Sequence, residues 1–137
     1  MNKLKVDKVL AYVVRDGYLL VFKHKDYSRE EVGVQVPAGT TNQGESAEEA
    51  VMRELKEETG FSSFKIVSKL GINEYDITPY RNEIQSRHFF LIESTEDLPE
   101  RWDGRESNIV FEFFWIPLKN AHVLQSGQGS MINKIEI

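Results

Sequence analysis

The amino-acid sequence predicts an α+β domain in which a mixed β-sheet carries helices on its surface. Two observations predict this class. Apolar, β-branched segments of strand length recur along the chain between turn residues, and one central segment, Ser46–Thr59, has helical character with a start and a stop signal. The chain has 137 residues, 40% of them hydrophobic, and contains no repeat or linker. We therefore expect one domain, residues 1–137, with a substantial core.

The first third of the chain predicts a hairpin followed by a short strand. Val6–Val14 and Tyr18–Lys23 are apolar segments separated by Arg15-Asp16-Gly17, and an Asp-Gly pair between two such segments is typical of a hairpin turn. Lys25–Glu31 is polar and predicts a loop. Val32–Val36 is apolar and is stopped by a proline, so we expect a short strand there.

The central segment predicts a loop followed by one well-defined helix. Gly39–Gly44 is small and polar, as in a loop. Ser46 is a favourable N-cap, and Glu49 three residues later completes a capping-box pattern. The helix should run to about Thr59, where Gly60 suits the left-handed residue that follows many helices.

The remaining chain predicts three further strands and two short helices. Glu93–Ser107 is long, polar and rich in turn residues, so we expect a loop there. The predicted strands are Lys65–Thr78, Gln85–Ile92 and Asn108–Ile116, and the predicted helices are Pro117–Gln125 and Gln128–Ile135.

Composition excludes several classes of function. The 22 acidic and 17 basic residues give a net charge of −5, which argues against general binding to nucleic acid or to an anionic membrane. A nucleotide ligand is still allowed, because a metal ion can neutralise phosphates within a site. The chain has no cysteine, and its first apolar run, Val9–Val14, is too short for a signal or membrane segment. We expect a cytoplasmic protein without a membrane partner.

Three glutamates of the predicted helix point to a metal site. At about 100° per residue, Glu54, Glu57 and Glu58 share one arc of the helix, next to an apolar arc that contains Val51 and Leu55. Neighbouring like charges destabilise a helix, and a hard divalent cation bound by carboxylate oxygens would offset the repulsion. The alternative is a solvated charged face, which is the usual meaning of a glutamate-rich helix.

The loop and helix together form a longer motif that favours the metal site. It reads Gly39-x5-Glu45-x7-Arg53-Glu54-Leu55-x-Glu57-Glu58-x-Gly60-Phe61. This motif resembles the signature of the Nudix hydrolase (MutT-like) family at every defined position. The resemblance implies an α/β/α sandwich around a mixed sheet, and hydrolysis of a nucleoside diphosphate linked to another group.

The resemblance also implies roles for the motif residues. Glu54, Glu57 and Glu58 would hold Mg²⁺, or Mn²⁺, with the backbone carbonyl of Gly39 as a further ligand. Glu45 and Arg53 would connect the loop to the helix and so orient these ligands. In such a site the cation binds phosphate oxygens and lowers the pKa of a water molecule that attacks phosphorus.

The carboxylate that accepts the proton from water is not determined by the motif. Glu54 is one candidate, and the resemblance makes Glu112 another, for catalysis and for metal binding. Glu112 is the single charged residue within an apolar strand, where an unpaired buried carboxylate would be costly. The alternative is that Glu112 lies at a strand edge in water. Glu106, in the preceding loop, is a weaker substitute.

Substrate-binding residues are expected outside the motif. Arg29, Arg81 and Arg87 are candidates to contact the substrate, and Tyr80 and Trp102 are candidates to stack on a base. The alternative for each of them is an ordinary surface or core residue. Alternation places Arg87 and His88 on opposite faces of their strand.

Two functions follow from these expectations. The first is a Mg²⁺-dependent pyrophosphohydrolase that acts on a small nucleotide-type substrate, as a monomer or a homodimer. The alternative is a non-hydrolytic domain that binds nucleotides.

Overall fold

The computed structural model describes residues 3–25, 33–106 and 108–135. The described residues form one α-helix, seven strands and two short 3₁₀ turns. The helix α1 spans Ala47–Thr59. The strands are β1 (Leu4–Arg15), β2 (Tyr18–His24), β3 (Ala38–Thr40), β4 (Phe64–Asp76), β5 (Glu83–Ser94), β6 (Arg101–Glu106) and β7 (Ile109–Pro117), and the 3₁₀ turns are Leu118–Val123 and Ile132–Lys134.

The strands form a mixed sheet in the order β4-β5-β1-β2-β7-β6, and β3 pairs with β1. The long strand β1 lies at the centre. It runs parallel to β5 along most of its length, and it pairs antiparallel with β3 at Lys8–Leu10 and with β2 at Val14–Arg15. The predicted α+β class with a mixed sheet is confirmed.

The two faces of the sheet are covered by different layers. Val9, Ala11 and Val13 of β1 pack with Val51 and Leu55 of α1, and we call this side the helix face. The alternating residues of β1, including Leu10 and Tyr12, pack on the opposite side against the C-terminal segment 118–135. We call that side the pocket face. Because both faces are covered, β1 consists largely of buried residues from Val9 to Val13.

The helix begins and ends where the sequence predicts. Ser46 accepts a hydrogen bond from the backbone N–H of Glu49, and the Glu49 side chain accepts one from the backbone N–H of Ser46. Gly60 adopts a left-handed conformation, with φ of 82°, and its N–H donates to the carbonyl of Lys56. These caps fix both ends of the helix that carries the candidate carboxylates.

Several expected elements differ in the structure. The loop predicted at Gly39–Gly44 begins with part of β3, and the loop predicted at Glu93–Ser107 contains β6. The two predicted C-terminal helices are reduced to 3₁₀ turns joined by bends. Of the strand predicted at Val32–Val36, the described part forms isolated bridges, from Val34 to Leu124 and from Gln35 to Phe22.

Candidate active site

Glu45 and Arg53 connect the loop that precedes α1 to the helix itself. The guanidinium of Arg53 donates two hydrogen bonds to the Glu45 carboxylate, from Nε to Oε2 at 2.7 Å and from Nη2 to Oε1 at 2.9 Å. It also donates to the carbonyl of Thr40. Bonds from Arg53 and from the backbone N–H of Asn42 lower the pKa of Glu45 to about 2, so this pair stays charged at neutral pH.

Glu54 is pressed against β3 at Gly39. A Cβ atom at residue 39 would lie 2.0 Å from Cδ of Glu54, so any residue but glycine would displace that side chain. Glu54 Oε1 accepts a hydrogen bond from Nη1 of Arg53 at 2.9 Å. Glycine at position 39 therefore allows the Glu54 carboxylate to lie close to the backbone of β3.

Glu58 is the most buried carboxyl group of the helix, with 4% of the residue exposed. Burial, reinforced by the nearby charges of Glu54 and Glu106, raises the pKa of Glu58 to about 9. The backbone of Ala38 hydrogen-bonds to its carboxyl group, and Glu58 in its neutral form donates to Glu54. Burial also raises the pKa of Glu54. The environment thus opposes two negative charges here unless a cation is present.

Glu106 lies on the helix face near these two carboxyl groups. Residues 102, 104 and 106 of β6 share this face with Phe113 of β7. Gly104 lets the strand approach the helix closely, because a Cβ there would lie 2.4 Å from the carbonyl oxygen of Glu58. Trp102 Nε1 donates to the carbonyl of Thr59 at 3.0 Å. These contacts place the end of β6, and therefore Glu106, beside the helix.

Glu112 faces away from the helix, which argues against its predicted role. It pairs with Lys23 and Asp103 across the strands and shares the face of Phe114, a residue of the pocket-face core. Its carboxylate accepts a hydrogen bond from Nη1 of Arg101 at 3.1 Å and lies 3.6 Å from Nζ of Lys23. The charge of Glu112 is thus compensated by cations, so the cost of burial that suggested a metal does not arise. Glu106, in contrast, lies close enough to Glu54 and Glu58 for its charge to act on both.

Glu57 occupies the exposed edge of the carboxylate arc. Its side chain is 51% exposed, and its Oε2 accepts a hydrogen bond from Nη1 of Arg53 at 3.2 Å. Arg53 therefore contacts Glu45, Glu54 and Glu57 together. This arginine holds the loop and the helix in one arrangement.

A pocket of about 380 Å³ lies beside these carboxyl groups, on the pocket face of β1 and β5. Its wall contains Ala38 and Gly39, so the short strand β3 separates the pocket from Glu54 and Glu58. Cations and amides dominate the lining side chains, which include Lys8, Arg81, Arg87, Gln35, Gln85, Gln125 and Gln128. Such a lining suits a polar, anionic ligand.

Three of the four predicted substrate residues, Tyr80, Arg81 and Arg87, line this pocket. Tyr80 is 90% exposed at the rim. The fourth, Arg29, lies outside the described residues.

His88 lies on the helix face, with Nε2 3.8 Å from Oδ1 of Asp7. Trp102 stacks on Phe113 in the core, with ring centroids 5.1 Å apart, which argues against its predicted stacking on a base.

Sequence reasoning missed Lys8 and Gln128 as residues of the pocket. Lys8 has a signal in the alternation of β1, because it shares a face with Leu10 and Tyr12. Gln128 has no such signal. It is buried by the C-terminal segment, where its Oε1 accepts from the backbone N–H of Val36 and its carbonyl accepts from the hydroxyl of Tyr12.

The chemistry of the donor set fits a hard divalent cation. Glu54 and Glu58 supply oxygen atoms beside the backbone of β3, with the charge of Glu106 nearby, and burial destabilises the charged form of Glu54 and of Glu58. Among residues 3–25, 33–106 and 108–135, no three acidic or histidine side chains already converge closely enough to enclose a metal ion. Arg53 holds Glu54 and Glu57 instead, so binding would require these side chains to reorient.

Solved structures share this fold. The MutT NUDIX hydrolase from Burkholderia pseudomallei is 21% identical, with a TM-score of 0.75, and the match covers 98% of this chain and 100% of that one. A UDP-X diphosphatase is 15% identical, with a TM-score of 0.72, over 98% of this chain and 62% of that one. At these identities the likeness defines the class of fold, a NUDIX-type sandwich.

A sequence profile of the NUDIX domain matches residues 4–134, so the chain belongs to the NUDIX domain family. The ADP-ribose pyrophosphatase of Bacillus subtilis is 32% identical over 113 residues, which is 82% of this chain and 58% of that protein. The ADP-ribose pyrophosphatase of Saccharomyces cerevisiae is 39% identical over 66 residues, 39% of this chain and 28% of that protein. The chain therefore spans less than two thirds of the length of these relatives. The described part of the chain contains no helix long and apolar enough to cross a membrane.

Proposed function

We propose that the chain is a pyrophosphohydrolase that depends on a divalent cation, Mg²⁺ or Mn²⁺, and cleaves a nucleoside diphosphate linked to a further group. The observation that carries this proposal is the grouping of Glu54, Glu58 and Glu106 beside a pocket lined by cations. The carboxyl groups suit the metal ion and the pocket suits the anionic substrate. The metal ion and the substrate would meet at the short strand β3, which lies between the carboxyl groups and the pocket.

The residues of the motif have different proposed roles. Glu54, Glu57, Glu58 and the Gly39 carbonyl would hold the cation, and Glu106 is close enough to contribute. When bound, the cation neutralises phosphate charge and lowers the pKa of a water molecule that attacks phosphorus. Glu45 and Arg53 keep the loop and helix in register through their paired hydrogen bonds.

A carboxylate must accept the proton of the attacking water. Glu54 and Glu106 are the two candidates that the geometry supports, because Glu112 lies on the other face of the sheet. Glu54 is half-buried and its pKa is raised by burial, which makes it a stronger base than an ordinary glutamate. Glu106 is exposed and acts on both Glu54 and Glu58 through its charge.

We infer that a nucleoside diphosphate sugar of the ADP-ribose type is the first substrate to test. Two relatives are named ADP-ribose pyrophosphatases. The pocket wall also contains Gln35 and Gln125, whose amides can donate to and accept from the hydroxyls of a sugar, whereas Gln85 and Gln128 already bond to protein groups. Tyr80 at the rim would stack on the base.

The proposal is tested with a panel of ADP-ribose, nucleotide sugars, nucleoside triphosphates and dinucleoside polyphosphates, incubated with Mg²⁺ or with EDTA. Chromatography should show AMP released from ADP-ribose with Mg²⁺ and none with EDTA. In ¹⁸O-labelled water, one product phosphate should carry the label. Glu57→Gln should remove the activity. Failure to cleave any of these compounds, with nucleotides still bound, would support the non-hydrolytic binding domain instead.

A further inference from the structure

Two cations face each other across the floor of the pocket. Lys8 of β1 and Arg87 of β5 are direct partners in the parallel register, and both line the pocket face. Like charges opposite each other on one face of a sheet repel, and the repulsion is stronger where water is excluded. Arg81 adds a third positive charge at the rim.

Arg87 is buried, with 6% of the residue exposed, yet its direct partners are neutral. Its Nε donates to Oε1 of Gln85 at 2.9 Å, its Nη1 donates to the carbonyl of Ser126 at 2.5 Å, and its guanidinium lies 4.1 Å from the ring centroid of Tyr75. Within the described ranges, no carboxylate lies within 4 Å of its nitrogens. These contacts fix the guanidinium in place without balancing its charge.

Lys8 likewise has a neutral hydrogen-bond partner. Its Nζ donates to Oγ1 of Thr40 at 2.7 Å, and it forms no ion pair within 4 Å in the described part of the chain. Burial lowers the pKa of Lys8. Glu83 and Glu54 act against this shift, whereas Arg81 and Arg87 add to it. Among the described residues, neither Lys8 nor Arg87 forms an ion pair within 4 Å, although the buried carboxylate of Glu83 acts on Lys8 and is connected to Arg87 through the side chain of Gln85. With Arg81, the three basic side chains outnumber this one carboxylate, and an anionic ligand would balance the excess charge.

We propose that Lys8 and Arg87, with Arg81 at the rim, form a phosphoryl-binding site that engages the substrate without the metal ion. The Thr40 hydroxyl holds Lys8 at the edge of β3, on the side opposite the carboxyl groups of Glu54 and Glu58. A diphosphate that crosses β3 would thus meet carboxylates and the cation on one side and these basic side chains on the other. The identity of the ligand rests on the proposed function.

The test measures binding of ADP, inorganic pyrophosphate and adenosine to the intact chain in EDTA, by isothermal titration calorimetry. ADP and pyrophosphate should bind to the wild type, whereas adenosine should bind more weakly by about tenfold or more. Lys8→Met keeps the aliphatic stem and should weaken ADP binding about tenfold to a hundredfold, whereas Lys8→Arg should restore it. The matched control is Lys5→Met on the same strand, whose side chain is 69% exposed and should leave binding unchanged.

Thermal unfolding is a second measurement, and it distinguishes ligand binding by Lys8 from a purely structural role. Because the repulsion from Arg87 disappears, Lys8→Met should unfold at the same or a higher temperature without ligand, while losing the stabilisation that pyrophosphate gives to the wild type. Equal binding of adenosine and ADP, no binding in EDTA, or full affinity in Lys8→Met would each overturn the proposal.

The outcomes for this site and for the proposed hydrolysis are separable. If ADP-ribose is hydrolysed with Mg²⁺ but ADP binds equally well to the wild type and to Lys8→Met, only the proposed phosphoryl-binding site is overturned. If ADP binding in EDTA depends on Lys8 but no compound is hydrolysed, the proposed hydrolase activity is overturned and the proposed phosphoryl-binding site is supported.

Discussion

At the scale of single residues, Glu58 is placed where its charge opposes folding. The folded protein raises the pKa of Glu58 to about 9, so the folded state keeps a proton that the unfolded chain releases above its ordinary pKa. Stability therefore falls as pH rises from about 4.5 towards 9 when no metal is bound. The protein tolerates this cost at the position that we assign to the metal ion.

Glu58→Gln should remove that cost. In EDTA at pH 8 we expect the variant to be more stable than the wild type by about 1–3 kcal/mol, since each pKa unit corresponds to ~1.4 kcal/mol before relaxation is considered. At pH 4 the difference should vanish, because both states of the wild type are then mostly neutral. Urea unfolding at the two pH values measures this. A variant less stable than the wild type at both pH values would contradict the assignment.

Single substitutions also test whether Glu106 or Glu112 takes part in catalysis. Glu106→Gln should lower kcat by roughly a hundredfold if it accepts the proton, and by less if it only supports the cation. Glu112→Gln should stay within about twofold, because its partners are Lys23 and Arg101 on the other face. Steady-state kinetics across pH distinguishes the two. A larger loss in Glu112→Gln than in Glu106→Gln would restore the interpretation drawn from the sequence.

At the scale of secondary-structure elements, the site depends on how closely β6 packs on α1. Gly104→Ala would place a Cβ 2.4 Å from the carbonyl oxygen of Glu58 and 2.6 Å from the ring of Phe113. Backbone and a core aromatic ring cannot both yield, so we expect a loss of about 1–3 kcal/mol. Activity should fall as well, because Glu106 and Glu58 move apart.

The matched control for this prediction is the adjacent residue. Asp103→Ala changes an exposed side chain, paired with Lys25 at 2.6 Å, and should change stability by about 0.5 kcal/mol or less. Chemical unfolding of both variants gives the comparison. Equal stability of the two variants would show that β6 can withdraw from the helix at no cost.

The same elements show what the sequence can and cannot predict. The helix was predictable because Ser46, Glu49 and Gly60 determine its ends locally, and the capping hydrogen bonds are present. The strands β3 and β6 were not, because Ala38–Thr40 is too short for an alternating pattern and Arg101–Glu106 is mostly polar. Their pairing with β1 and β7 comes from tertiary structure. The sequence could not show the ion pairs of Glu112 for a related reason, since Lys23 and Arg101 lie on neighbouring strands.

At the scale of the whole molecule, charge is distributed unevenly. The chain carries a net charge of −5, while Lys8, Arg81 and Arg87 line one pocket and the carboxyl groups of Glu54 and Glu58 lie on the other side of β3. A diphosphate and a divalent cation complement these two sides. Burial raises the pKa of Glu58 to about 9, so a cation held by Glu58, as we propose, would displace a proton at neutral pH.

Metal binding should therefore release close to one proton per chain at pH 7.5. Titration of Mg²⁺ in two buffers that differ in ionisation enthalpy measures this number directly. The apparent affinity should rise up to about tenfold per pH unit below pH 9 and level off above it, because the charged carboxylate that binds the cation becomes dominant there. Glu58→Gln should show weak binding and no proton release. Identical corrected heats in both buffers for the wild type would mean that Glu58 is not a ligand, and the cation would then have to be held by Glu54 and its exposed neighbours.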